Sequence, residues 1–313
     1  MCPGATPALL RTTPHYPSPS TTPVPLQHYP TATPALLRAT PALPQHYYPS
    51  TTPHYPSPSP SPTPAPHPSP AQAGWGRTRE ESKMAEEPVE YSLEGTVAVI
   101  RLDDGKANAL SHAMLDAIHA AFDRAQEDSA GAVALVGRPG RFSAGFDLSV
   151  MSQGREAVTG LVGKGAGLAL RIFEWPTPVV LGVTGHALAM GAVLCLSADE
   201  RIGSEGAYKV GLNEVAIKMV LPDFALVLAA DRLSRRHLSR ATAGAEIYDP
   251  LGAVDAGYLD RVVPDGEADG AARARAAELA EILHGPSHAR TKQAVRQQAA
   301  ERLRAAVEGF AGL

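Results

Sequence analysis

Apolar positions along this chain follow two rhythms: short unbroken runs, and longer stretches where they recur every three or four residues. Residues 91–102 carry the β-branched Val97, Val99 and Ile100 and predict two strands around a turn at Glu94 and Gly95. The unbroken runs at 132–136 and 178–183 have strand length and predict buried strands. Helical spacing comes first at 112–125, where Leu115, Ile118 and Phe122 share a face and Ser111 stands in the N-cap position. It returns at 160–174 and stops at Trp175 and Pro176. Residues 184–196 open on small side chains and predict a helix packed tightly against neighbouring backbone. A short strand follows over 197–202 with Asp199 near its beginning, and Pro222 opens a helix at its first position. Residues 233–242, 249–256, 268–283 and 287–311 predict further helices, the last long and amphipathic, with a strand at 260–263. Strands first and helices accumulating later predict an α/β layered fold.

Composition divides the chain in two. Of its 29 prolines, 21 precede residue 71, and no Asp or Glu occurs before Glu80. Such a segment has little to bury against the entropy of ordering its backbone, so residues 1–83 predict a disordered tail rich in Pro, Ser and Thr. The tail repeats TTPHYPSPS from Thr12 and from Thr51, and TPALLR from Thr6 and from Thr33, without a common period or an apolar face. Two roles fit it: a polyproline-II arm for SH3- or WW-like grooves, or an extension ahead of a start at Met84. The composition favours the second. Residues 84–313 are globular in composition and long enough for one core, which predicts a single domain.

That domain holds 23 basic against 30 acidic residues, a net charge of −7, which argues against a nucleic-acid-binding face. Of the two cysteines, Cys2 lies in the tail and Cys195 in an apolar run, so a structural disulfide is not expected and a reducing, cytoplasmic setting fits. No apolar run reaches membrane-spanning length, and the N-terminus lacks the apolar core of a secretory signal. No Cys/His cluster has metal-ligand spacing and no phosphate-binding glycine loop occurs, so metal and nucleoside-triphosphate chemistry find no support.

Candidate chemistry begins at residues 141–148, RFSAGFDL, directly after the run at 132–136. Ser143, Ala144 and Gly145 are small enough for a ligand to reach the main chain, and Gly145 permits a positive φ. Alone, this stretch reads equally well as an ordinary strand-to-helix turn.

Set beside Pro178-Val179-Val180 with GHALAMGA from Gly185, ADERIG from Ala198 and GLNEVAI from Gly211, it resembles the crotonase (enoyl-CoA hydratase/isomerase) superfamily over about residues 91–263. The resemblance implies a spiral of ββα units with C-terminal helices, assembled as trimers or pairs of trimers. It also implies action on coenzyme A thioesters, with coenzyme A as part of the substrate and no permanently bound cofactor. The α-proton of a thioester becomes removable when two backbone N–H groups hold the carbonyl oxygen as it takes on enolate charge. By resemblance those donors are Phe146 and Met190. Met190 stands where hydratases usually have Gly, but a main-chain donor is still available there.

Hydratases of this family hold water between two Glu side chains. The first of these positions falls on Val193, which cannot transfer a proton, and the second on Glu214. A single carboxylate suffices for a 1,3-proton shift, so the pattern predicts the Δ3,Δ2-enoyl-CoA isomerase reaction with Glu214 as base and proton carrier. Hydratase, hydrolase or decarboxylase chemistry, and an acyl-CoA-binding protein without catalysis, remain as alternatives. Lys106, Ala107, Arg141, Ala144 and Phe146 are the implied contacts to coenzyme A, with Lys106 and Arg141 candidates for its phosphates. Asp147 is expected to cap the helix it begins, His186 to pack or hydrogen-bond, and Asp199 to be a less favoured alternative acid. Family members commonly continue beyond the last helix of this chain, so a more open acyl pocket or altered trimer contacts are expected.

Overall fold

The computed structural model describes residues 87–311, so the expectation for residues 1–83 lies outside the described residues. The main sheet begins with β1 (Val89–Glu94) and β2 (Val97–Leu102), an antiparallel pair joined at Gly95. Strands β4 (Ala132–Val136), β7 (Val179–Val183), β9 (Glu200–Ser204) and β11 (Arg261–Val263) then add in parallel. The order is β1-β2-β4-β7-β9-β11. Two smaller parallel sheets carry the site. One joins β5 (Gly140–Ser143), β8 (Gly185–Leu188) and β10 (Val210–Gly211), and the other pairs β3 (Ala109–Leu110) with β6 (Gly145–Phe146).

The unbroken apolar runs are explained by helices on both faces of the main sheet. Helix α8 (Ala268–Ile282) covers Val97, Val99, Ala134 and Val180 with Ala272 and Ala276. The other face, with Ala98, Ile100, Leu135 and Leu181, meets the larger core formed with α1 (His112–Glu127), α3 (Arg155–Glu174), α4 (Met190–Ser197) and α5 (Asp223–Arg232). Short helices α2 (Leu148–Met151), α6 (Arg235–Ala241) and α7 (Pro250–Ala256) fill connections, and α9 (Gly285–Ala311) packs across α3 and α5.

Caps behave as the residue types require. Ser111 accepts from Met114 N at α1, and Asp249 accepts from Gly252 N at α7 with Pro250 in the first turn. Two expectations need correction. Residues 185–188 are strand β8 and not the start of a helix: β8 lies between β5 and β10, where Gly185 allows close approach to Gly140 of β5. Pro222 is the N-cap residue of α5, one position before the helix.

Candidate active site

Segments far apart in the chain meet at one cavity of about 200 Å³: Phe146 from β6, Met190 and Val193 from α4, Glu214 from the connection after β10, and Phe310 from α9. The structure thus brings together Glu214, Phe146 and Met190, with Val193 on the same wall.

The two expected N–H donors are set by backbone geometry. Asp147 N–H donates to Leu110 O at 3.2 Å, and Phe146 is opposite Leu110 in the parallel β3–β6 register. Alternate residues of such a ladder present their N–H to opposite edges, so Phe146 N–H faces away from β3. Met190 is the first residue of α4, and first-turn N–H groups have no partner within their helix. The two elements touch at Gly145, whose φ is +91°. A β-carbon built on Gly145 would stand 2.7 Å from Ala189 Cβ and 3.3 Å from Met190 N, so only glycine permits this approach. Ala189, which leads into α4, has φ +49° and ψ −122°, a strained backbone for a non-glycine residue. Its N–H is held by Gly211 O at 3.0 Å.

Glu214 precedes a 3₁₀ turn over Val215–Ile217, and its carbonyl accepts from Ile217 N and Met219 N at 3.0 and 2.9 Å. These bonds fix the main chain and leave the carboxyl to the cavity. Glu214 is 8% exposed and its Oε2 is buried without a hydrogen-bond partner. Burial raises its pKa above the ordinary carboxylate value. A carboxyl with one unpartnered oxygen among apolar side chains is poised to exchange a proton with a bound molecule.

Lys106, Ala107, Arg141 and Ala144 lie on two adjoining segments and are not among the residues lining the cavity. Ala144 N donates to Ala107 O at 3.0 Å, joining the two segments, while the Lys106 and Arg141 side chains are exposed. Sequence reasoning missed Asn108, which ties these two segments together. It is fully buried in a left-handed conformation, φ +50°, and its amide nitrogen donates to Leu102 O and Phe142 O at 2.9 and 3.1 Å. Its own carbonyl accepts from Ser143 Oγ at 2.8 Å. The tolerance of Asn for that backbone region was the available signal.

The other candidates have partners of their own. Asp147 caps α2 through Ser149 N at 2.8 Å, and the hydrogen bonds from Ser149 hold its carboxyl below the usual range. His186 Nδ1 accepts from Lys209 N at 3.0 Å, its ring stands edge-on to Tyr208, and burial lowers its pKa. Asp199 accepts from Val179 N and pairs with Lys292 and Arg296, so its carboxylate is committed to structure. Phe310 forms part of the cavity wall, because α9 lies across α3 and α5.

The sequence model of the family described as enoyl-CoA hydratase/isomerase matches residues 92–312. The chain belongs to the enoyl-CoA hydratase/isomerase family. It resembles a solved enoyl-CoA hydratase/isomerase family protein from Pseudomonas syringae at 42% identity and a TM-score of 0.69, covering 72% of this chain and 97% of that one. A solved enoyl-CoA hydratase from Mycobacterium marinum is 35% identical with a TM-score of 0.69, covering 72% and 98% of the two chains. Among characterised relatives, human mitochondrial enoyl-CoA delta isomerase 1 is 29% identical over 222 residues, 69% of this chain and 72% of that protein. The fold is the crotonase fold, and an acyl-CoA substrate is consistent with membership of this enzyme family. No helix among the described residues is long and apolar enough to cross a membrane.

Proposed function

We infer that this protein is an enoyl-CoA isomerase of the Δ3,Δ2 type. The observation that carries the reading is the cavity wall itself, where Glu214 offers a buried carboxyl with Oε2 unpartnered and Val193 occupies the other position from which a family hydratase would supply one.

The thioester carbonyl of a 3-enoyl-CoA sits between Phe146 N–H and Met190 N–H. Glu214, ionised, takes a proton from C2, and the electron pair moves into the carbonyl to form a dienolate. The two N–H donors stabilise that charge, each by about 2.7–4 kcal/mol in comparable sites. The protonated Glu214 then delivers its proton to C4, and the double bond comes to lie between C2 and C3. No water is consumed, so no second carboxylate is required. Lys106 and Arg141 face the coenzyme A phosphates, and Ala107 and Ala144 its main-chain contacts. The proposal includes assembly as a trimer or pair of trimers in the cytoplasm, which light scattering and cell fractionation read directly.

The test is a panel of 3-enoyl- and 2-enoyl-CoAs with mass-spectrometric detection of isomerised and hydrated products. Isomerisation of the 3-enoyl substrates, lost by about 10²–10⁴-fold in Glu214→Gln, is the expected result. Predominant hydration by the wild-type protein would establish hydratase chemistry instead. Acyl-CoA binding without any product would leave a binding protein.

A further inference from the structure

The cavity beside Glu214 is apolar apart from Glu214 and Thr159, and α9 contributes Phe310 to it. The Phe310 ring is held from two sides. A β-carbon built on Gly163 would stand 3.1 Å from Phe310 Cβ, so this side chain rests directly on the backbone of α3. On its other flank the ring meets Phe224 of α5 edge to face, with centroids 6.0 Å apart and planes at 72°. Phe310 is therefore a braced wall.

At about 200 Å³ the cavity is smaller than the roughly 300–1,000 Å³ of sites that take drug-sized ligands, so its size limits what fits.

We propose that Phe310 is the specificity-determining residue that restricts this site to short acyl chains, its ring closing the cavity against longer ones. The inference rests on the reading that the cavity receives the acyl part of a coenzyme A thioester. It concerns the length of that chain and not the chemistry performed on it.

Wild-type protein, Phe310→Leu and Phe310→Ala are compared on 3-enoyl-CoAs of six to twelve carbons. The wild type is expected to show a kcat/KM at least ~10-fold higher for the six-carbon than for the twelve-carbon substrate, since each misfit methylene discriminates by about 10-fold or more. Phe310→Ala is expected to bring that ratio within about 3-fold, and Phe310→Leu, which keeps apolar contact with α3 and α5, to fall between. Circular dichroism and six-carbon turnover verify that each variant is folded. Equal wild-type turnover of both chain lengths, or an unchanged ratio in folded Phe310→Ala, would overturn the proposal. Saturated acyl-CoAs of four to twelve carbons, titrated calorimetrically, read the same wall without any reaction. If no enoyl-CoA is turned over, the isomerase reading fails and this titration alone decides. Affinity falling with chain length in the wild type but not in Phe310→Ala supports the wall, and equal affinities overturn it.

Discussion

Lys292 Nζ donates to Asp199 Oδ2 at 2.6 Å across 93 residues of sequence, fastening α9 to the end of α4. Arg296 completes the fastening at 2.9 Å from Asp199 Oδ1, donates to Phe173 O at 2.6 Å and lies over the Phe173 ring. Burial pushes the Lys292 pKa down to about 8, against the opposing pull of Asp199, so this ammonium depends on the carboxylate to stay charged. Because α9 carries Phe310, the same ion pairs fasten the helix that supplies this part of the cavity wall.

Asp199→Asn leaves Lys292 and Arg296 buried with no carboxylate between them. Breaking a buried pair in this way costs about 3–5 kcal/mol. A urea unfolding curve is expected to show that loss. A change below about 1 kcal/mol would mean that the pairs contribute no more than surface ion pairs do.

Glu214 links activity and stability to pH. Burial raises its folded-state pKa above the unfolded value. Its contribution to stability is therefore fully present below the unfolded pKa and is lost as pH rises through the folded pKa, where the carboxylate must ionise in an apolar cavity. Glu214→Gln removes that slope, so the variant is expected to be more stable than the wild type at neutral pH and equal to it in acid. The acid limb of wild-type kcat/KM is expected above the ordinary Glu pKa, since the base acts ionised. A limb at or below the ordinary value would show that the carboxyl is solvated during turnover.

Ala189 carries its strained backbone at the entrance to α4. Such a conformation costs roughly 1–3 kcal/mol, of which glycine recovers part against its own entropy cost of about 0.5–1 kcal/mol. Ala189→Gly is expected to raise stability by about 1 kcal/mol, seen as a higher urea midpoint at unchanged slope. A lower midpoint would show that the rest of the chain does not impose this strain.

Gly145→Ala meets the opposite situation. Its methyl would lie 2.7 Å from Ala189 Cβ at a φ of +91°, forcing β6 and α4 apart. Displacing a donor by about 1 Å can cost on the order of 10²-fold in rate. The expected loss is in kcat more than in KM, measured on the same 3-enoyl substrate, and an unchanged kcat would remove this contact from the positioning of the donors.

Local chemistry made much of this legible before any coordinates. Ser111 and Asp249 are caps because their side chains reach N–H groups within one turn, and the runs at 132–136 and 178–183 are strands because an apolar segment that short and unbroken must be covered on both sides. Residues 185–188 misled because small side chains suit both a close-packed helix and a central strand, and the flanking β5 and β10 decide between them.

The sequence by itself determined which groups are present: one carboxylate at Glu214, a valine at 193, small residues at 143–145 and a long amphipathic last helix. Only the tertiary structure decided what each of them faces. That Glu214 Oε2 has no partner, that Asp199 is committed to Lys292 and Arg296, and that Phe310 lines the cavity beside Glu214 are consequences of contacts between distant segments. Periodicity reports which face of a helix is buried, but the identity of the neighbour on that face depends on how the layers pack.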